Sequence, residues 1–185
     1  MDEKKKLDKI DFFSKEVRKK ILKTAYKAGA KSAHLGGALS CTDILSTIFT
    51  TYNILGINHK NYNSRDRVIL SKGHACLALY ASLNQIGLID DNELNTFEED
   101  GSDLLGHPVL NKNLGIEFST GSLGMGLSIG IGLAISAEKK KSNFKTFVIL
   151  GDGECNEGSV WESAMAAPNL NVKNLVVIID KNNFQ

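Results

Sequence analysis

Apolar residues recur at helical spacing in several stretches of the chain, with polar residues at the positions between them. Near the start, Phe12, Phe13, Val17 and Ile21 fall on one helical face, which predicts an amphipathic helix over residues 9–29. The same spacing predicts further helices over residues 42–52, 75–86, 91–97, 127–141 and 160–167.

Residues near the ends of these segments fit helix boundaries. Ser40 or Thr42 could cap the second helix with a hydroxyl oxygen. Pro168 is expected to end the last helix, because proline has no backbone N–H to donate. Gly130 and Gly132 lie inside a predicted helix, where glycine costs about 1 kcal/mol relative to alanine. We interpret these two glycines as positions where another helix packs closely.

Three short apolar runs, rich in β-branched residues, predict buried strands over residues 68–70, 147–150 and 175–180. A polar loop is predicted over residues 58–67. Strands that alternate with helices are typical of a parallel sheet with helices on both faces. We therefore predict an α/β fold with a mostly parallel sheet. The length of 185 residues predicts a single domain spanning residues 1–185.

Polar residues follow the two strongest predicted strands. Asp152 lies between Gly151 and Gly153 directly after one strand, and Asn182 comes thirty residues later, after the next. The carboxyl ends of parallel strands lie at the same edge of a sheet, where ligands of such sheets bind. Carboxylate and amide oxygens suit Mg²⁺ held against a diphosphate, and glycines let the backbone approach closely. A plain turn would explain Gly-Asp-Gly alone. Two strand ends that are followed by Asp152 and, thirty residues later, by Asn182 favour a metal and diphosphate site.

Composition narrows the class of protein. A net charge of +1 argues against a dedicated nucleic-acid surface. Three scattered cysteines indicate a reducing compartment rather than a disulfide framework. Neither a secretory signal nor an apolar run of membrane-spanning length is present in the sequence, so we expect a cytoplasmic protein. Cys155 is interpreted as a small loop residue rather than a nucleophile, and His59 as a solvated loop residue.

The segment from Gly151 to Glu162 resembles the thiamine diphosphate signature in the form it takes in the transketolase family. Four further segments resemble the family in the same order: residues 33–37, 70–75, 106–108 and 119–126. The similarity extends from about Val17 to the end of the chain. It implies a thiamine diphosphate-binding fold, of which this chain is the diphosphate-binding domain, incomplete at its C-terminal end.

The resemblance implies a transferase that uses thiamine diphosphate and Mg²⁺ (or Ca²⁺) to move a two-carbon ketol unit between sugar phosphates, as in pentose phosphate metabolism. The residues that it assigns to the cofactor are His74, Gly121, Ser122, Leu123, Asp152, Gly153, Glu154 and Asn182. Gly121, Ser122 and Leu123, within the glycine-rich turn over residues 119–126, would face the aminopyrimidine ring. Asp152, Asn182 and the backbone carbonyl of Phe184 would ligate the metal.

Four residues are implied to act in catalysis. His34 and His107 would contact the sugar and relay protons, and His74 would approach the diphosphate and the reaction centre. Imidazole suits this work because its pKa lies near the operating pH. Glu157 matches a family glutamate between two active sites that is linked to cofactor activation. Its alternative interpretation is an acid favoured by the helix dipole at a helix N-terminus.

Two departures from the family pattern leave alternatives open. At the first motif the chain reads Ala33-His34-Leu35-Gly36, which also resembles deoxyxylulose-phosphate synthase, an enzyme that condenses pyruvate with an aldehyde. A non-catalytic regulatory module that binds thiamine diphosphate is a third possibility. The chain also ends before the family's pyrimidine-binding domain. We therefore expect activity only with a pyrimidine-binding subunit or domain, in a homodimer or heterotetramer.

Overall fold

A computed structural model of the protein describes residues 2–29, 33–54 and 64–183. The helices are α1 (Glu3–Ala28), α2 (Leu35–Ser40), α3 (Thr42–Thr51), α4 (Cys76–Gln85), α5 (Asp91–Leu94), α6 (Gly126–Lys139) and α7 (Gly158–Asn169). The strands are β1 (Arg67–Leu70), β2 (Thr146–Gly151) and β3 (Leu175–Asp180). Two short 3-10 helices, Gly73–Ala75 and Gly153–Asn156, follow the ends of β1 and β2.

The strands form one parallel sheet in the order β1-β2-β3. Val68 pairs with Phe147, and Phe147 pairs with Val176. Strand β2 is therefore central among the described strands. The parallel pairing confirms the predicted α/β class, and it places the carboxyl ends of all three strands at one edge.

Helices cover the two faces of the sheet. On one face, Val68, Leu70, Phe147 and Ile149 pack in a buried apolar cluster with helices α1 to α4. On the other face, Ile69, Val148 and Leu150 pack with residues of α6 and α7. The alternation of strand residues between the two clusters follows from the two-residue period of a strand. Burial on both faces explains why β1 and β2 read as continuous apolar runs.

Several predicted helix boundaries were wrong. Helix α1 begins at Glu3 rather than near residue 9, because the Lys-rich start contains good helix formers although it lacks apolar periodicity. Helix α2 was not predicted, since six residues are too few to show a helical period. Pro168 lies inside the last turn of α7 instead of ending it, and Leu170 N–H still donates to the Ala166 carbonyl at 2.9 Å.

The predicted caps of α3 were also wrong. Cys41 occupies the N-cap position, and no side chain caps the helix there. The Thr42 hydroxyl donates instead to the Ala38 carbonyl at 2.9 Å. The Ser40 hydroxyl donates to the Asp180 carboxylate, far along the chain.

The predicted polar loop is described only in part. Residues 58–63, His59 among them, lie outside the described residues. Arg67, the last residue of the predicted loop, belongs to β1.

The glycines of α6 differ from their interpretation as helix-packing positions. A β-carbon on Gly130 would clash with Cγ2 of Val148, so Gly130 brings α6 close to strand β2 rather than to another helix. A β-carbon on Gly132 would meet no atom within 4 Å. Helix α6 therefore lies directly on the sheet, with its first residue beside the ends of the strands. No helix in the described part of the chain is long and apolar enough to cross a membrane.

Candidate functional site

The carboxyl ends of the three strands bring several of the predicted site residues to one edge of the sheet. Strand β1 leads through Ser71 and Lys72 to His74, and β2 leads directly to Asp152. Gly151, the last residue of β2, pairs with Asp180, the last residue of β3. The register thus places Asp152 next to the segment that contains Asn182.

The two carboxylate oxygens of Asp152 differ in their contacts with the described residues. Its Oδ2 accepts a hydrogen bond from the backbone N–H of Asn183 at 2.9 Å. Asn183 has a φ of 60°, a left-handed conformation that asparagine tolerates better than most residues. Backbone N–H groups, Asn183 first and then Asn182, hold the pKa of Asp152 below its usual range. The carboxylate is therefore ionised at neutral pH.

The other oxygen, Oδ1 of Asp152, is buried and has no hydrogen-bond partner among residues 2–29, 33–54 and 64–183. A buried carboxylate oxygen without a partner is costly. A cation held against it would remove that cost, so this oxygen fits the predicted role of Asp152 as a metal ligand.

The other ligands of such a cation would be neutral oxygens. Within the same described ranges, no group of three His, Cys, Asp or Glu side chains could hold a metal ion. A cation at Asp152 would thus need amide, backbone or ligand oxygens as well. Asn182 is half-buried beside Asp152, and Phe184 lies outside the described residues.

The glycine-rich turn lines a cavity of about 260 Å³ at the start of α6, which includes Gly121 and Ser122 in its wall. Gly121 has a φ of 152°, and a β-carbon there would lie 2.9 Å from Cδ2 of His107. A side chain at residue 121 would therefore have to displace the His107 ring, and glycine allows the turn and the His107 loop to approach this closely. Leu123 is 40% exposed. Its apolar side chain is thus available to a ligand or a partner at this edge.

Glu154 was predicted to bind the cofactor, and its carboxylate does not fit that role. The residue is 2% exposed. Its Oε1 accepts from Gly151 N–H at 2.8 Å, and its Oε2 accepts from Gly124 N–H at 2.8 Å and from the Ser71 hydroxyl at 2.7 Å. The carboxylate is therefore occupied by protein donors from three loops. Glu154 instead joins the end of β1, the end of β2 and the glycine-rich turn.

Three of the four histidines lie together, as predicted for residues of one site. The ring centroid of His34 is 5.6 Å from that of His74 and 6.5 Å from that of His107. His34 and His107 are exposed, whereas His74 is half-buried. Burial, and then the charges of Lys72, His34 and His107, lower the pKa of His74 below its usual value. His74 is thus held neutral near pH 7, while the two outer rings face solvent.

Glu157 and Cys155 both lie just before the start of α7. Glu157 occupies the N-cap position, is exposed, and makes no capping hydrogen bond with its side chain. Its carboxylate is therefore free of the local capping role that glutamate can take near a helix start. Burial, followed by the charges of Glu154 and Asp152, raises the pKa of the Cys155 thiol. A protonated thiol is a poor nucleophile, which agrees with its interpretation as a small loop residue.

Sequence reasoning missed a second set of residues beneath the site. Lys72 and Asp180 form a buried ion pair, with Nζ to Oδ2 at 2.5 Å. Ser40 joins them through its hydroxyl. Lys72 lies inside one of the segments that resemble the transketolase family, but nothing in that segment indicates a partner 108 residues away in the chain.

Comparisons with known proteins agree with the geometry. A profile described as "Transketolase, thiamine diphosphate binding domain" matches residues 15–185. An apulose-4-phosphate transketolase subunit of Phocaeicola vulgatus is 40% identical over 179 residues, covering 97% of this chain and 63% of that protein. A 6-deoxy-6-sulfo-D-fructose transketolase subunit of a Clostridium species is 34% identical over 169 residues, covering 91% of this chain and 61% of that protein.

A solved structure shares the architecture. The transketolase of Leishmania mexicana superposes with a TM-score of 0.80 at 27% identity, covering 92% of this chain and 27% of that chain. The chain therefore spans less than two thirds of the length of each of these three relatives.

Proposed function

Since the chain belongs to the transketolase family and matches its thiamine diphosphate binding domain, we propose that it binds the diphosphate end of this cofactor and serves in the transfer of a two-carbon ketol unit between sugar phosphates. The observation that carries the proposal is the buried Oδ1 of Asp152, which has no partner in the described part of the chain, at the edge where three strands end. An anionic oxygen without a protein partner in the described residues is suited to a cation that holds an anion. The three clustered histidines, of which His74 follows β1 at the same edge of the sheet, are suited to a polar substrate.

Different residues of the chain would bind different parts of the cofactor and its metal. Asp152, Asn182 and the backbone carbonyl of Phe184 would hold Mg²⁺, or Ca²⁺ in its place, against the diphosphate. Gly121, Ser122 and Leu123 would line the pyrimidine side, and Gly153 would let the backbone approach the anion. When bound, thiamine diphosphate supplies carbanion stabilisation for the two-carbon unit.

The histidines would handle the sugar and its protons. His34 and His107 are exposed, so their rings can reach hydroxyl groups of a substrate that enters from solvent. His74 is half-buried and held neutral, so its ring can donate one hydrogen bond and accept another. Its deeper position than the exposed His34 and His107 suits a contact with the cofactor rather than with the sugar.

We further propose that this chain forms the diphosphate-binding domain and works with a pyrimidine-binding subunit or domain in a homodimer or heterotetramer. Two of its relatives are named as subunits of transketolases, which supports the proposal. Glu157 would then act across the interface in cofactor activation. Its exposed carboxylate at the start of α7 is free of a local capping bond, as such a role requires.

An assay of ketol transfer tests this function. We expect the purified chain alone to show no transfer from a ketose phosphate to an aldose phosphate. Addition of a pyrimidine-binding partner to the complete protein should give turnover that depends on thiamine diphosphate and Mg²⁺. Turnover of pyruvate and an aldehyde in place of the sugars would assign the synthase reaction instead. Cofactor binding without any turnover in the assembled protein would indicate a regulatory module.

A further inference from the structure

A buried ion pair lies beneath the proposed cofactor site. The side chain of Lys72 is 1% exposed and that of Asp180 is 8% exposed, with Nζ and Oδ2 2.5 Å apart. The Ser40 hydroxyl donates to the same carboxylate oxygen at 2.5 Å. Lys72 Nζ also donates a hydrogen bond to the Ser40 hydroxyl oxygen at 3.4 Å. We call these three residues the Lys72 network.

A buried ion pair is not by itself evidence of a large contribution to stability. Removing two charges from water is costly, and well-packed apolar residues of similar volume often replace a buried ion pair without loss. Removal of a single partner is strongly destabilising, because it leaves the other charge buried and uncompensated. A buried ion pair in such a place can instead fix the geometry of the segments that it joins.

Each member of the Lys72 network lies close in the chain to a residue of the proposed site. Lys72 precedes His74 by two residues, and Asp180 precedes Asn182 by two. Ser40 ends α2, the helix that begins directly after His34. The network thus connects three segments that meet only in the folded protein.

The contact of α2 with the His74 loop is close. The Ser40 hydroxyl lies 3.1 Å from the Gly37 carbonyl in the same helix. A β-carbon on Gly37 would lie 3.0 Å from Cδ2 of His74, so the ring rests against the backbone of α2. A shift of α2 relative to β1 would therefore move His34 and His74 with respect to each other.

We propose that Lys72, Asp180 and Ser40 are positioning residues that fix His34 and His74 relative to the metal-binding segment around Asn182. This inference rests on the proposed function. The three residues touch neither the metal nor the sugar in this assignment. They act through the segments that carry the residues proposed to contact the metal and the sugar.

The charge of Lys72 gives the network a second effect. The charged and titratable groups that face His74 are Lys72 from its own loop, His34 from the start of α2, and His107 from the loop before the glycine-rich turn. Each disfavours the protonated imidazole, as does burial. Removal of the Lys72 charge should thus raise the pKa of His74, a change that a merely structural role would not produce.

The test uses the double variant Lys72→Met/Asp180→Asn in the complete protein, with the Ser40 hydroxyl still able to donate to the amide oxygen. We expect the affinity for thiamine diphosphate and Mg²⁺, measured by calorimetry, to fall about tenfold, as for other residues that orient a ligand set. We also expect the pKa of His74, followed by NMR without cofactor, to rise. Thermal unfolding of each variant reports its stability.

The matched control is another buried ion pair, Arg65 with Glu117, whose side chains are 4% and 6% exposed and which lies near the start of β1, away from the carboxyl ends of the strands. Glu117 also lies 3.6 Å from Arg67, so this variant is expected to cost more stability than the loss of one pair. The variant Arg65→Met/Glu117→Gln should alter stability while leaving cofactor affinity and the His74 titration unchanged. Equal losses of affinity in the two double variants would overturn the proposal, as would wild-type affinity and His74 titration in the Lys72 variant.

A milder variant covers the case in which the double variant does not fold. Ser40→Ala removes one hydroxyl and no charge, and we expect a smaller loss of cofactor affinity, about threefold, in a folded protein. Unchanged affinity in Ser40→Ala, where the double variant fails to fold, would count against the proposal. Absence of cofactor binding by the wild-type protein would instead refute the proposed function itself.

Discussion

Replacement of Asp152 with alanine is expected to weaken Mg²⁺-dependent binding of thiamine diphosphate by more than about 100-fold. Residues that only support a metal ligand typically account for about 10–100-fold in affinity, so the loss of a direct anionic ligand should exceed that range. Oδ1 of Asp152 has no partner in the described part of the protein, so alanine removes the oxygen that the cation would use. Titration calorimetry of cofactor and metal into the complete protein measures the effect.

The variant also removes the acceptor of the Asn183 N–H, so its fold must be checked. Thermal unfolding without ligand separates a folding defect from a ligand defect. Glu138→Ala is a suitable control, because Glu138 is an exposed carboxylate near the far end of α6. We expect Glu138→Ala to bind the cofactor as the wild type does. Wild-type affinity in a folded Asp152→Ala protein would show that the metal lies elsewhere.

The histidine variants should divide into two classes. His34→Ala and His107→Ala are each expected to lower kcat by about 10²–10⁴-fold, the usual contribution of a general acid or base, with cofactor affinity retained. His74→Ala should lower both kcat and cofactor affinity. This difference follows from the positions of the three rings. His34 and His107 are exposed, whereas the half-buried ring of His74 rests against α2 and is affected by the charge of Lys72.

Paired measurements decide the matter: steady-state ketol transfer and cofactor titration on each variant in the assembled protein. His59→Ala is the matched control, because the sequence predicts His59 to be a solvated loop residue, and it should behave as the wild type. Wild-type turnover in His34→Ala and His107→Ala would refute their role in proton transfer. A similar loss of cofactor affinity in all three site variants would point to a shared structural role for the cluster.

The sheet and the convergence of Asp152 with the Asn182 segment were predictable from sequence. Buried parallel strands leave continuous apolar runs such as Val148-Ile149-Leu150, and the parallel arrangement then fixes where the following polar residues meet. The histidine cluster was predicted from resemblance to a family, and the distances among the three rings agree with it. Patterning alone would not have selected these histidines from the four in the chain.

The side-chain partners could not be predicted. Glu154 follows Asp152 by two residues, yet its carboxylate turns inward to three loops, because the 3-10 turn at Gly153–Asn156 sets its direction. Lys72 and Asp180 pair although they are 108 residues apart in the chain. Such pairs depend on the closed tertiary structure, and neither the local period nor the residue type indicates them. Helix α2 was missed because it is shorter than two helical turns.

The register of the sheet has a consequence for how the site assembles. Phe147 pairs with Val176, about 30 residues later, and with Val68, about 80 residues earlier. The entropy of loop closure grows with the logarithm of loop length, so the longer closure costs about 0.9 kcal/mol more. Chain entropy thus favours early formation of the β2-α7-β3 unit, which carries Asp152 and Asn182, and later docking of β1 with His74. Pulse-labelled hydrogen exchange during refolding would show this order as earlier protection of β3 than of β1. The proposed metal ligands Asp152 and Asn182 are then brought together in a local unit, and His74 joins them only when the two halves of the chain meet.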